Sequence, residues 1–159
     1  MAPNVKAIMQ YFPDAQIGET EPIGARLPPD WLAEFEKYLD AYQTEIGKPL
    51  GFVQADISWG VDGWQERLRQ LRNMLKRRGI AFGVIFNASE PQSSDEAWIS
   101  AAVHNIQTYD AAVRALPEQA IFASWTPHPS HLLPETSPGT LTYLINHYTD
   151  RNRVGTVGQ

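Results

Sequence analysis

Three carboxylates raise the question of chemistry: Glu19 and Glu21 in Ala15-Gln16-Ile17-Gly18-Glu19-Thr20-Glu21-Pro22, and Asp56 in Leu50-Gly51-Phe52-Val53-Gln54-Ala55-Asp56-Ile57-Ser58-Trp59. Their spacing of two puts Glu19 and Glu21, with Ile17, on one side of an extended chain. In the second stretch the same period separates polar Gln54, Asp56 and Ser58 from apolar Val53, Ala55 and Ile57. A helix-covered surface is a poor place for acidic groups, so Glu19, Glu21 and Asp56 are expected to face one shared lumen or crevice. Carboxyl groups gathered there can divide acid and base work, one held protonated by its neighbours while another stays ionised. A polar layer of hydrogen-bonded side chains with no chemistry accounts for the same residues, and both readings are carried forward.

Other side chains extend the candidate set. Trp59 and Trp125 offer flat apolar faces on which a ring can stack, or they simply pack. Asn87 can bind a hydroxyl or cap its own loop. His128 and His131, in Thr126-Pro127-His128-Pro129-Ser130-His131, invite a metal reading with Glu135. A structural metal site wants a fixed third ligand, so no metal and no cofactor are expected. Arg67, Arg69, Arg72 and Lys76-Arg77-Arg78 read as a solvated helix face rather than a phosphate patch.

Composition narrows the partners. The chain has 159 residues and no cysteine, which excludes disulfides and thiolate chemistry. A formal charge of -5 and a pI near 5.3 argue against nucleic acid or an anionic membrane as the main partner. No apolar run follows Met1, so neither a leader nor a membrane span is expected, and the default location is the cytoplasm.

The elements that must position these residues follow from periodicity. Val5, Ile8, Met9 and Phe12 mark a short first helix. Leu27-Pro28-Pro29-Asp30 starts a second, with Asp30 as cap and an aromatic row of Trp31, Phe35, Tyr38 and Tyr42 as core. Trp64, Leu68, Leu71 and Leu75 mark a third, closed by Gly79 after its terminal cations. Ser93 and Glu96 form a capping box before a helix through Trp98, Ala102, Ile106, Tyr109, Val113 and Leu116. Ile80 to Asn87 and Ala120 to Trp125 complete the strands, and a last helix spans about Thr140 to Tyr148. The result is an α/β chain of four βα units over 1–150 with a parallel sheet, half of a (β/α)8 barrel, followed by a flexible tail over 151–159. A doubly wound sheet meets the same count, but no Gly-rich phosphate loop follows the first strand.

The order Glu19-Thr20-Glu21-Pro22, Ala55-Asp56-Ile57-Ser58-Trp59, Gly79-Ile80-Ala81-Phe82-Gly83 and Ser124-Trp125 before the closing helix resembles the C-terminal half of a glycoside-hydrolase-type (β/α)8 barrel. The resemblance implies that Pro22, Asp56, Asn87 and Trp125 lie at the ends of the fifth to eighth strands, with Trp125 flooring a sugar subsite. It implies a domain that binds or hydrolyses a carbohydrate; for that chemistry the residues' own placement offers Glu19, Glu21 and Asp56 as catalytic candidates and Trp59, Asn87, Trp125 and His128 as candidates to meet the substrate. Hydrolysis would need two carboxyls about 5–5.5 Å apart for retention or about 6.5–9.5 Å for inversion. The sequence departs from the common retaining pattern: a fourth-strand acid would precede Met1, and the seventh strand ends in Asn87-Ala88-Ser89, with Glu90 three residues late. The alternative is a non-catalytic half-barrel, a structural or binding module. Its edge strands, Ala15 to Thr20 and Ala120 to Trp125, would leave backbone groups unpaired, so a homodimer through those edges is expected.

Overall fold

The computed structural model describes residues 2–24 and 27–155. Helix α1 (Ala2–Tyr11) precedes four βα units: β1 (Gly18–Ile23) with α2 (Trp31–Ile46), β2 (Phe52–Ile57) with α3 (Trp64–Arg78), β3 (Ala81–Phe86) with α4 (Asp95–Val113), and β4 (Gln119–Phe122) with α5 (Leu141–Gly155). The strands form one parallel sheet in the order β1-β2-β3-β4. This is the α/β arrangement that the alternating pattern predicts. A doubly wound sheet would reverse its order at a switch point, and here the order never reverses.

Contacts divide the chain into two units, Met1–Val84 with Pro117–Gln119, and Ile85–Leu116 with Ala120–Gln159. In the first, β2 shows the expected alternation: Val53, Ala55 and Ile57 are buried and Phe52, Gln54 and Asp56 are half-buried. Helix α3 packs on β1 and β2 and buries Trp64, Leu68, Leu71, Met74 and Leu75. It stops at Gly79, whose φ of 68° is left-handed and whose N–H closes onto the carbonyls of Leu75 and Lys76. Of its cations, Arg69 pairs with Glu66, Arg77 with Glu36 and Arg78 with Asp40, which accounts for half of the basic run as surface ion pairs. Helix α2 buries Trp31, Phe35, Leu39 and Tyr42, but Tyr38 stays half-buried. Asp30 occupies the cap position without a side-chain hydrogen bond. Of the stripe expected on α1, Val5 is buried, whereas Ile8 and Phe12 are exposed.

In the second unit α4 starts one residue later than the expected capping box. Ser94, not Ser93, is the N-cap and accepts from the Ala97 N–H at 3.2 Å. Leu116 falls beyond this helix and is exposed. The rings of Tyr109, Phe122 and Tyr148 gather around Phe86 with centroids 5.4 to 5.9 Å from its own. Such edge and tilted contacts add about 0.5–1.5 kcal/mol each beyond area burial. Helix α5 continues through residues 151–155, where a flexible tail was expected; residues 156–159 lie outside the described residues. Among the described residues no helix is long and apolar enough to cross a membrane.

One contact sets the position of β1. Gly18 pairs with Phe52, and a Cβ on Gly18 would stand 2.1 Å from the Phe52 ring. Gly18→Ala therefore forces the ring aside and is expected to destabilise the chain by about 1–3 kcal/mol in urea unfolding. Phe52→Ala in the same chain should recover part of that loss, a coupling of at least about 0.5 kcal/mol; strict additivity would contradict the register.

Candidate functional site

Partners across a parallel ladder point their side chains to the same side of the sheet. The register pairs Glu19 with Val53, Thr20 with Gln54, Glu21 with Ala55, Pro22 with Asp56 and Ile23 with Ile57. Glu19 and Glu21 therefore share the face of Val53, Ala55 and Ile57, and Asp56 lies on the opposite face with Gln54, Thr20 and Pro22. The expected convergence of Glu19, Glu21 and Asp56 on one lumen is corrected here. The reason is steric: Gly18 is the residue that fits against the Phe52 ring, and a slip of one residue would put the Glu19 side chain there.

The face that holds the two glutamates is the one that the helices cover. Ile23 and Ile57 at its end are buried, and from α2 the Tyr38 hydroxyl donates to Glu19 Oε2 at 2.9 Å. Burial, and then the charge of Glu19, raise the Glu21 carboxyl above its ordinary range. Burial, the bond to Glu19 and the nearby carboxylates push the Tyr38 hydroxyl upward in turn. Tyr42 rises for the same first reason, with Glu19 adding to it. These groups form an acidic cluster between β1 and α2. Periodicity alone assigns Tyr38 to the core stripe, and only its tertiary position reveals it as a hydrogen-bond donor. On the other face, Gln54 Nε2 donates to Gln119 Oε1 at 3.1 Å, so the polar side of β2 is engaged at its middle. Trp59 is only 9% exposed and meets Trp64 edge-on at 5.2 Å, so most of its surface is committed to packing.

In the second unit, Asn87 is 3% exposed. Its Oδ1 accepts from the Ser89 N–H at 2.8 Å, and its carbonyl accepts from Asn105 Nδ2 at 2.9 Å. It holds its own loop, the second of the two roles open to it. Trp125 is 72% exposed, just past the carboxyl end of β4. Its loop is folded on itself: the Ser124 hydroxyl donates to the His128 carbonyl, and Thr126 Oγ1 donates to the same oxygen at 2.9 Å. The His128-Pro129 and Leu133-Pro134 bonds are cis.

Asp95, absent from the candidates above, ties this loop to the start of α4. Its carboxylate meets His128 Nδ1 at 2.5 Å, the Ser130 N–H at 2.9 Å, the Ser130 hydroxyl at 2.8 Å and His131 Nδ1 at 3.2 Å. The bond from His128, then those from Ser130 and His131, hold its carboxyl far below the usual range. The available signal was its place in the first turn of a helix, where a carboxylate is favoured; which loop it would meet was not legible. With Nδ1 committed to Asp95, the His128 side chain still keeps 30% of its surface in solvent. His128 and His131 thus share one carboxylate rather than forming a metal set with Glu135. Among the described residues no group of three or more His, Cys, Asp or Glu side chains could hold a metal ion.

Comparison with protein-family models, with curated proteins and with solved structures returns no match for this chain.

The raised Glu21 carboxyl has a sign that can be measured. The folded state favours its protonated form, so the associated stability is fully present below the ordinary glutamate value and is lost as pH rises through the raised folded value. Glu21→Gln is expected to raise the melting temperature at pH 7 and to flatten the pH dependence of stability just above the ordinary glutamate range. Equal melting temperatures at pH 7 would show that the ionised group is not penalised.

Proposed function

We propose that this chain is a carbohydrate-binding α/β domain, a half-barrel module that holds a saccharide on the Trp125 ring beside His128 without cleaving it. The observation that carries the reading is the exposed Trp125 indole on a loop tied down by Asp95. An indole left in water on a rigid loop offers a flat face to the apolar side of a pyranose, at little ordering cost on binding. Its place past the carboxyl end of a parallel strand matches the end at which (β/α) barrels carry their ligand sites. Two observations favour binding over cleavage: the register parts Asp56 from Glu19 and Glu21, and the remaining pair lies on the helix-covered face, with Tyr38 donating to Glu19, rather than across a bond held in an open cleft.

Affinity electrophoresis in gels containing hydroxyethylcellulose, xylan or glycogen tests the reading. At least one polymer should retard the chain, and Trp125→Ala should weaken that retardation at least about fivefold. Unhindered migration in all three gels, or full retention by the variant, overturns it.

A compatible second reading is self-association, favoured by a sheet order that leaves β1 and β4 with one neighbour each. The Ser58 N–H donates to the Ile23 carbonyl, so odd residues of β1 turn their backbone toward β2 and Gly18, Thr20 and Pro22 turn theirs outward. Pro22 has no N–H to give there, which blunts this edge and directs pairing to β4. Light scattering after size exclusion should give a dimer mass at micromolar concentration; a monomer mass there removes this second reading.

A further inference from the structure

Helix α5 carries a polar and aromatic stripe that neither the sequence candidates nor the Trp125 platform uses. Tyr143, Asn146, His147 and Asp150 stand at i, i+3, i+4 and i+7, one face of the helix. Leu144 and Tyr148 are buried on the other side. With Glu135 from the preceding loop and Arg151, the stripe lines a groove of about 530 Å³, within the size range of small-molecule sites. The Tyr143 and His147 rings lie nearly parallel, 20° apart with centroids at 6.4 Å. Arg151 Nη2 is held by Asp110 Oδ2 at 3.1 Å, which fixes one side of its guanidinium.

We propose that this groove is a saccharide subsite. It rests on the carbohydrate reading above and adds a second point of contact on the same chain. The groove carries both signs of charge, Glu135 and Asp150 against Arg151, so neither a simple anion nor a simple cation meets a uniform field. A neutral polyol fits the chemistry better. Each of its hydroxyls donates and accepts, and the lining offers carboxylate acceptors, guanidinium donors, and an amide that does both. The Tyr143 ring supplies an apolar face for the C–H side of the sugar.

The test follows the amide and indole signals of the 15N-labelled full chain during titration with d-glucose, d-galactose, d-mannose and N-acetyl-d-glucosamine, with sodium phosphate and tetramethylammonium chloride as ionic probes. At least one sugar should shift the Asn146, His147 and Asp150 amides to saturation. Tyr143→Ala and Asn146→Ala should each weaken that response at least about fivefold; Asn146 is exposed, so its variant keeps the fold in view. Trp125→Ala should leave the α5 response in place. If the Trp125 indole responds to sugar and the α5 amides do not, the subsite is overturned and the Trp125 reading stands. If the α5 amides respond and the Trp125 indole does not, the subsite holds and the platform fails. A response of α5 to phosphate or tetramethylammonium but to none of the sugars also overturns it.

Discussion

The contact between Gly18 and the Phe52 ring fixes how β1 lies against β2, and much of the first unit follows from that one choice. Side chains alternate with a period of two, so moving β1 by a single residue would exchange its faces completely. With Gly18 against the ring, Ile23 comes beside Ile57 under the helices. The same register carries Glu19 and Glu21 to that face, since they share its parity. Burial of apolar surface at the end of the strand thus brings two carboxylates along with it. The fold accommodates them with a tyrosine hydroxyl on one and a raised proton affinity on the other.

Glu21 and Asp95 show two fates of a carboxylate in one chain. Glu21 is half-buried beside a like charge, and its ionised form is disfavoured. Asp95 meets two imidazoles, a hydroxyl and a backbone N–H, and its ionised form is strongly favoured. The first is a residual cost of strand register. The second works as a fastener, because each partner comes from residues 128–131 and all end on a single side chain at the start of a helix. An exposed tryptophan is useful to a ligand only if its loop is already ordered, and this fastener supplies that order locally.

The second unit anchors its helices with aromatic rings around Phe86. Tyr109 also spends its hydroxyl on the Ala115 carbonyl at 3.0 Å, just past the end of α4. With Leu144 and Tyr148 turned inward, α5 has one face committed to packing. Its other face, from Tyr143 to Asp150, is left to polar and aromatic residues in a groove.

Periodicity by itself determined the strand and helix alternation of this protein, the buried face of β2, the core stripe of α3 and that of α4 as far as Tyr109. Those are local patterns, set by which side of an element can leave water. Periodicity also placed Trp125 at the end of the last strand, before a Pro-rich loop; a sugar-binding role for it came only from the resemblance. Tertiary structure alone decided which way each strand's polar face turned relative to its neighbour, because register depends on a fit between residues 34 apart, Gly18 and Phe52. It alone turned Tyr38 from core filler into a donor, gave Asn87 its bond to the Ser89 N–H and Trp59 its place against Trp64, and made Asp95, a helix-start acid, the anchor of a distant loop. In each case a side chain's role was set by its partner, and hydrogen-bond and packing partners are chosen by the folded chain, not by spacing along it.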